Sequence, residues 1–323
     1  MDKFTHYFGI DISKDFFDVA TDQGDHFQLE NNDEGFKQLK KKLPKGSVCI
    51  MEVTGVYHYR LALYLYELGI AISVVNPVRI KRFMEMHLRR NKTDKADAAM
   101  ICQYGMNQEL SMWFPPEEYL QKSRMIMDHI STYIKSRTMF KNRLHATKTQ
   151  AYRCSILTRK LEQTIRQLDK TISELEMALE QLIKVHEQEN LTLLTQIPGL
   201  GRKTSIMMLI LTEGFTRFDN ARQFSNYVGL APMHRQSGSS VRGRSRISKQ
   251  GNPLMRNLLF MCSFNACKCN KACKDLYERI VAKGKSKKLA LIAVANKLIK
   301  QAFGIMNNKL NYTPEYRSVH PMI

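Results

Sequence analysis

A chain of 323 residues, 43% of them hydrophobic, is long enough for two domains with substantial cores, which excludes disorder as a description of most of it. Fifty Lys and Arg against 30 Asp and Glu give a formal charge of +20 at pH 7, a balance that favours nucleic acid as partner ahead of an anionic membrane surface. No apolar run reaches the roughly 18 to 20 residues of a membrane span and the start MDKFTHYFGI lacks the regions of a signal peptide, so a cytoplasmic location without membrane contact is expected.

Seven cysteines without a regular framework suit reduced thiols in that compartment. Cys262, Cys267, Cys269 and Cys273 lie close together, but their spacing is not a zinc pattern. Cys262, Cys269 and Cys273 recur at helical intervals and read as small helix-face residues.

In chain order, HYFGIDI, FFDVATD and HFQLEN alternate as three consecutive strands, DEGFKQLKKKL follows as a helix, SVCIMEV as a strand, HYRLALYLYELG as a helix and IAISVVN as a strand. This order predicts a mixed α/β sheet with helices on its faces over residues 1–115. Residues 116–190 change to long helices, where Leu161, Ile165, Leu168, Ile172, Leu175, Leu179 and Leu182 form a heptad seam. That seam predicts a coiled-coil arm joining protomers in a dimer. Residues 191–310 read as a basic, mostly helical domain and 311–323 as a loosely held tail.

The acids raise the question of chemistry. Asp11 stands in the apolar first strand, and it neighbours Glu52, at the end of VCIMEV, if those two strands are adjacent. In NKTDKADAAMICQYG, Asp94 and Asp97 share a helix face, with Thr93 as N-cap. Taken singly, each has an ordinary reading as a helix-start acid or a turn residue. Four carboxylates on one point repel unless a divalent cation lies between them, and hard oxygen donors suit Mg²⁺ or Mn²⁺. Asp15, Asp18 and Asp22 read as surface acids.

Basic residues surround these positions. NPVRIKRFMEMHLRRNK sets Arg79, Lys81, Arg82, Arg89, Arg90 and Lys92 just before the second acid pair, and an ordinary reading is a solvated basic helix. LLTQIPGLGRKTSIMMLILTEG resembles a helix-hairpin-helix, whose glycine turn would aim N–H groups at a phosphate beside Arg202 and Lys203. KSRTMFKNRLHATKTQAYR interleaves Lys and Arg with Phe140 and Tyr152, which suits backbone contacts and base stacking. LAPMHRQSGSSVRGRSRISKQGNPLMRN offers serines among Arg235, Arg242, Arg244, Arg246 and Lys249; composition alone makes it a flexible phosphate-touching loop.

GIDISKDFFDVA, EVTGVYHYRLALYLYELG, VVNPVRIKRF, NKTDKADA, IPGLGRKTS, FSNYVGLAP and SGSSVRGRSRISKQGNPLMRNLL, in this order, resemble the insertion-sequence 110 family of transposases and the related Piv and MooV DNA invertases. The resemblance covers about 5–105 and 190–305. It implies a RuvC-like, ribonuclease-H-like fold with an acid tetrad at Asp11, Glu52, Asp94 and Asp97. It also implies a catalytic serine just before a glycine, a position that Ser237 matches, with Ser239 and Ser240 close enough to be alternatives. Further implications are a covalent phosphoserine intermediate, a noncoding bridge RNA that pairs with donor and target DNA, and a site completed between subunits of a dimer or tetramer. Two rival readings are a RuvC-like junction nuclease that cuts by hydrolysis, and a sugar-kinase-like ATPase suggested by FGIDIS. A third is a nucleic-acid scaffold without chemistry, which leaves the acids as coincidence.

Overall fold

A computed structural model of the chain describes residues 4–53, 55–87, 93–233, 236, 237, 241, 242, 246–248 and 250–314. The chain divides into two compact units, Met1–Pro115 and Pro116–Ile323.

In the first unit the alternating segments form β1 (His6–Ile12), β2 (Phe16–Thr21) and β3 (His26–Glu30). There follow α1 (Asp33–Lys42), β4 (Ser47–Glu52), α2 (His58–Glu67), β5 (Ala71–Val75), α3 (Pro77–Met86) and α4 (Asp94–Asn107). The five-stranded sheet has the order β3-β2-β1-β4-β5. Short turns make β1, β2 and β3 antiparallel, whereas helical crossovers bring β4 beside β1 and β5 beside β4 in parallel. The sheet is therefore mixed, as the order of segments predicts.

Strand alternation sends the two sets of side chains into two cores. Phe8, Ile10, Ile12, Cys49 and Met51 pack with Phe36 and Leu39 of α1 and Leu61 and Leu65 of α2. On the opposite face, Val48 and Ile50 pack with Ile80 and Phe83 of α3 and Met100, Ile101 and Tyr104 of α4. Local chemistry sets the helix starts. Asn32 accepts from the Gly35 N–H at 2.9 Å, and Asn76, followed by Pro77, accepts from the Val78 N–H at 2.8 Å.

The second unit contains α5 (Glu118–Thr149), α6 (Ser155–Thr195), α7 (Arg202–Thr212) and α8 (Ala221–Val228). Four short strands follow: β6 (Pro232–Met233), β7 (Gln236–Ser237), β8 (Val241–Arg242) and β9 (Arg246–Ile247). It ends with α9 (Pro253–Cys269), α10 (Lys271–Ala282) and α11 (Lys287–Asn308). α5 and α6 lie antiparallel, bridged by Arg137–Asp169 and Lys148–Glu162, each at 2.8 Å.

The heptad seam has a cover within the chain. Leu161, Ile165, Ile172 and Leu179 are buried, and Ile126, Met127, Ile130, Tyr133 and Ile134 of α5 join Ile172 and Leu179 in one apolar cluster. The short connection 150–154 folds α5 back along α6, so the stripe expected to face a second protomer meets a helix of its own chain. The same cluster continues through Met208, Leu209 and Ile210 of α7 to Leu298 and Phe303 of α11, so arm and C-terminal helices share one core.

α11 corrects the expectation that nothing is long and apolar enough to span a membrane, because by length and composition this one helix qualifies. Its Val294, Ala295, Leu298, Ile299 and Ala302 are buried in the core, which explains a helix apolar nearly all round. All seven cysteines are free thiols; Cys262 and Cys273 are buried, Cys267 is half-buried and Cys269 exposed. The tail begins tethered, since the Tyr312 N–H donates to Gln196 Oε1 at 3.1 Å and Gln196 Nε2 donates to Asn311 Oδ1 at 3.0 Å; residues 315–323 lie outside the described residues.

Ile172→Ala is expected to lower stability by roughly 2–5 kcal/mol. Met177→Ala, on the exposed face of α6, should leave the melting temperature nearly unchanged. Thermal melts of both variants at several protein concentrations check this: a burial within the chain gives a concentration-independent difference.

Candidate active site

Two ladders and one helix start bring the acids together. Ile10 pairs with Met51 across the parallel β1–β4 ladder, so the next step sets Asp11 beside Glu52 at the ends of the two strands. Asp11 also pairs with Asp18 of β2 across the antiparallel ladder. Asp94 and Asp97 occupy the first turn of α4, where the Thr93 hydroxyl accepts from the Ala96 N–H at 3.2 Å and acts as the expected N-cap.

Glycines seat this helix on the sheet. A Cβ added at Gly9 would lie 2.1 Å from the backbone nitrogen of Cys102 and 2.3 Å from the carbonyl oxygen of Ala98. At Gly105 it would lie 2.6 Å from Ile50 Cδ1. Gly9 precedes Asp11 by one pleat on the same face, and Ala98 follows Asp97 directly. Close contact at Gly9 therefore brings the two aspartates of α4 over the end of β1.

Electrostatics reports the result. The Asp11 carboxyl is pushed up to about 6, first by burial, then by the charges of Asp97, Glu52, Asp94 and Asp18. The donor set, carboxylate oxygens that repel one another, fits a hard divalent cation in charge and type. Among the described residues, however, no three His, Cys, Asp or Glu side chains already stand in coordinating arrangement. What the described structure shows is a shared electrostatic field centred on Asp11.

Asp18 corrects its reading as a surface acid. It is only 7% exposed; Gln28 Nε2 donates to its Oδ2 at 3.0 Å, and His26 Nε2 lies 2.8 Å from Oδ1. Its cross-strand pairing with Asp11 was the available signal, since antiparallel neighbours share a face. Asp22 also has a backbone role, accepting from the Tyr7 N–H at 3.3 Å, while Asp15 is exposed.

In the second unit, Ser237 lies in β7, with its backbone paired to Val241 of β8. β6 and β9 pair outside this ladder, Pro232 with Ile247 and Met233 with Arg246. The base of this segment is pinched: a Cβ at Gly229 would lie 2.1 Å from the Gln250 carbonyl oxygen, and one at Gly251 1.9 Å from that of Tyr227. Both glycines have positive φ, 79° and 106°. Of the expected nucleic-acid contacts, Arg89, Arg90, Lys92, Arg235, Arg244 and Lys249 lie outside the described residues, as do Ser239 and Ser240; Arg242 and Arg246 are described by backbone alone.

The glycine turn 196–201 does connect two helices, but its polar groups are largely engaged. Arg202 Nε contacts Glu180 at 2.8 Å, and Lys203 pairs with Glu176, both acids of α6. A Cβ at Gly199 would lie 2.5 Å from Ala266 Cα of α9, so that glycine serves helix packing. Arg82 is exposed on α3.

Two family models match the chain, and the first runs past the first unit through α5. Residues 8–153 match a family model described as a transposase of the DEDD, IS110 type, and residues 191–278 match the transposase IS116/IS110/IS902 family. The pilin gene-inverting protein of Moraxella bovis is 30% identical over 316 residues, which cover 93% of this chain and 95% of that protein. The chain belongs to the IS110 transposase family. Its chemistry is accordingly the cutting and rejoining of DNA. The pilin gene-inverting protein of Moraxella lacunata gives the same identity and coverage. A 43.6 kDa protein of insertion element IS110 from Streptomyces coelicolor is 29% identical over 119 residues, 37% of this chain and 29% of that protein. The first match of this IS110-family chain includes all four acids, and the second includes Ser237.

Two predictions follow from the packing and the field. Gly9→Ala places its methyl against backbone that cannot give way, and is expected to cost roughly 3 kcal/mol or more in a thermal melt. The folded state holds the Asp11 proton more tightly than the unfolded chain does, so this contribution to stability is lost as pH rises through about 6. In chelator at about pH 8, Asp11→Asn should therefore melt a few degrees above the parent, with solvent screening limiting the gain. The difference should vanish below about pH 4.

Proposed function

We propose that the chain is a recombinase that cuts donor and target DNA through a covalent phosphoserine at Ser237 and rejoins it, with Asp11, Glu52, Asp94 and Asp97 holding Mg²⁺ (or Mn²⁺). The observation carrying this reading is the field shared by Asp11 and Glu52 at the strand ends and Asp94 and Asp97 in the first turn of α4. In this proposal the first unit is RuvC-like, a reading supported by the DEDD transposase match and the mixed sheet. A noncoding bridge RNA supplies sequence choice by pairing, which accords with a strongly basic chain. The active form is an oligomer, a dimer through the helical arm or a tetramer, working in the cytoplasm. Because the α6 seam is covered by α5, another surface of the arm would have to make the dimer contact.

The Ser237 hydroxyl attacks phosphorus, a new P–O bond forms, the bond to the leaving DNA oxygen breaks, the serine proton passes to a carboxylate, and the leaving oxygen takes a proton from water to depart as a hydroxyl. The ester conserves the broken link, so a DNA hydroxyl can reverse the attack and rejoin strands without ATP. A bound Mg²⁺ would supply Lewis-acid stabilisation of charge on the phosphate oxygens. Arg242, Arg244, Arg246 and Lys249 offset that charge in the proposal, and Arg82, Arg89, Arg90, Lys92, Arg202, Lys203 and Arg235 hold the nucleic-acid backbone. For Arg202 and Lys203 this requires exchanging a carboxylate of α6 for a phosphate.

Incubating the protein with Mg²⁺, RNA from the flanks of its own gene and labelled DNA should yield a protein–DNA adduct that survives denaturation. The adduct should disappear in Ser237→Ala, in Asp11→Asn and in chelator. Cut DNA without adduct, still dependent on Asp11, would replace this reading with hydrolysis by a junction nuclease.

A further inference from the structure

The turn of the α5–α6 hairpin encloses a cleft of about 600 Å³ that the proposed chemistry leaves unused. Lys148, Arg153 and Arg159 line it together with Ser155, Thr158 and Glu162. Residues 141–162 carry Lys141, Arg143, Lys148, Arg153, Arg159 and Lys160 against the single acid Glu162. Lys148 is paired with Glu162 at 2.8 Å, whereas no ion pair among the described residues involves Arg153 or Arg159. Tyr152, next in the chain to Arg153 of the cleft, is 92% exposed, with Ile156 at 75%. An exposed tyrosine in a stretch with two arginines outside any ion pair among the described residues suits base stacking combined with phosphate contacts.

The acid narrows the choice of ligand. A carboxylate repels phosphate, but it accepts a hydrogen bond from a ribose 2′-hydroxyl, a group that DNA lacks. Lys148 fixes Glu162 at the wall of the cleft, and the start of α6, where Cys154 supplies no side-chain cap, presents N–H groups to an anion beside it. The stretch thus offers groups suited to phosphate, base and ribose.

We propose that this turn binds a single-stranded stretch of RNA, with Arg153 and Arg159 on phosphates, Tyr152 against a base and Glu162 accepting from a 2′-hydroxyl. The inference rests on the reading that the chain works with a guide RNA, and it assigns part of that contact to the hairpin turn.

The test uses the full chain and a labelled single-stranded RNA of mixed sequence carrying 5-iodouridine, with DNA of the same sequence as competitor. Photo-crosslinking should label the peptide containing Tyr152. Tyr152→Ala should lose that crosslink and Tyr152→Phe should keep it. Arg153→Ala with Arg159→Ala should weaken RNA binding about tenfold. Glu162→Ala should erode the preference for RNA by strengthening DNA binding, because it frees Lys148 and removes the ribose acceptor. Circular dichroism checks that these surface variants fold. Crosslinks elsewhere in the chain with none at Tyr152 would overturn the assignment of the turn while leaving RNA guidance standing. Equal binding of RNA and DNA at Tyr152 would overturn the ribose contact. Binding of neither nucleic acid by the intact chain would overturn both this inference and the reading beneath it.

Discussion

The contact on which the first unit depends is backbone against backbone, where Gly9 of the central strand meets Ala98 and Cys102 of α4. Side chains elsewhere in the sheet hold helices away by the width of a residue. At this point nothing intervenes, and the start of α4 comes down to the strand ends. The apolar cores on both faces stabilise the sheet, but the glycine decides how near the Asp94–Asp97 turn approaches Asp11. A site of like charges needs such rigidity, because mutual repulsion works against its assembly and must be offset by packing that cannot relax.

That opposition accounts for the polar surroundings. Burial and four neighbouring acids disfavour the charged form of Asp11, while Asp18, one of those four, is tied to Gln28 and His26 on the adjoining strand. The sheet thus continues outward from the acids as an ordered polar network. Helix capping works to the same end at Thr93, which fixes the first residue of α4 and so the direction from which Asp94 and Asp97 enter.

Much of this was legible in the sequence because it is local. The strand alternation in HYFGIDI and FFDVATD, the Thr93 cap and the three-residue spacing of Asp94 and Asp97 each follow from short-range geometry. What escaped depends on partners distant in sequence. A heptad seam states that something apolar covers it, but not whether the cover belongs to the same chain; α5 supplies it here. Asp18 read as a surface residue because its burial depends on β3. The cations of GLGRK read as free because Glu176 and Glu180 precede them by a full helix end. Counting unbroken apolar runs likewise passed over α11, which has the length and composition of a span while its buried face belongs to the core.

At Gly229 and Gly251 the backbone leaving α8 and the backbone entering α9 come close together, and Leu230 is tied to α11 as well, its carbonyl accepting from Asn296 Nδ2 at 3.2 Å. A pull on the segment between the two glycines is delivered to the end of α8 and the start of α9, with Arg256 Nη1 bonded to the Val228 carbonyl at 2.8 Å as a cross-tie. A load carried along the backbone at this point would therefore be shared among α8, α9 and α11.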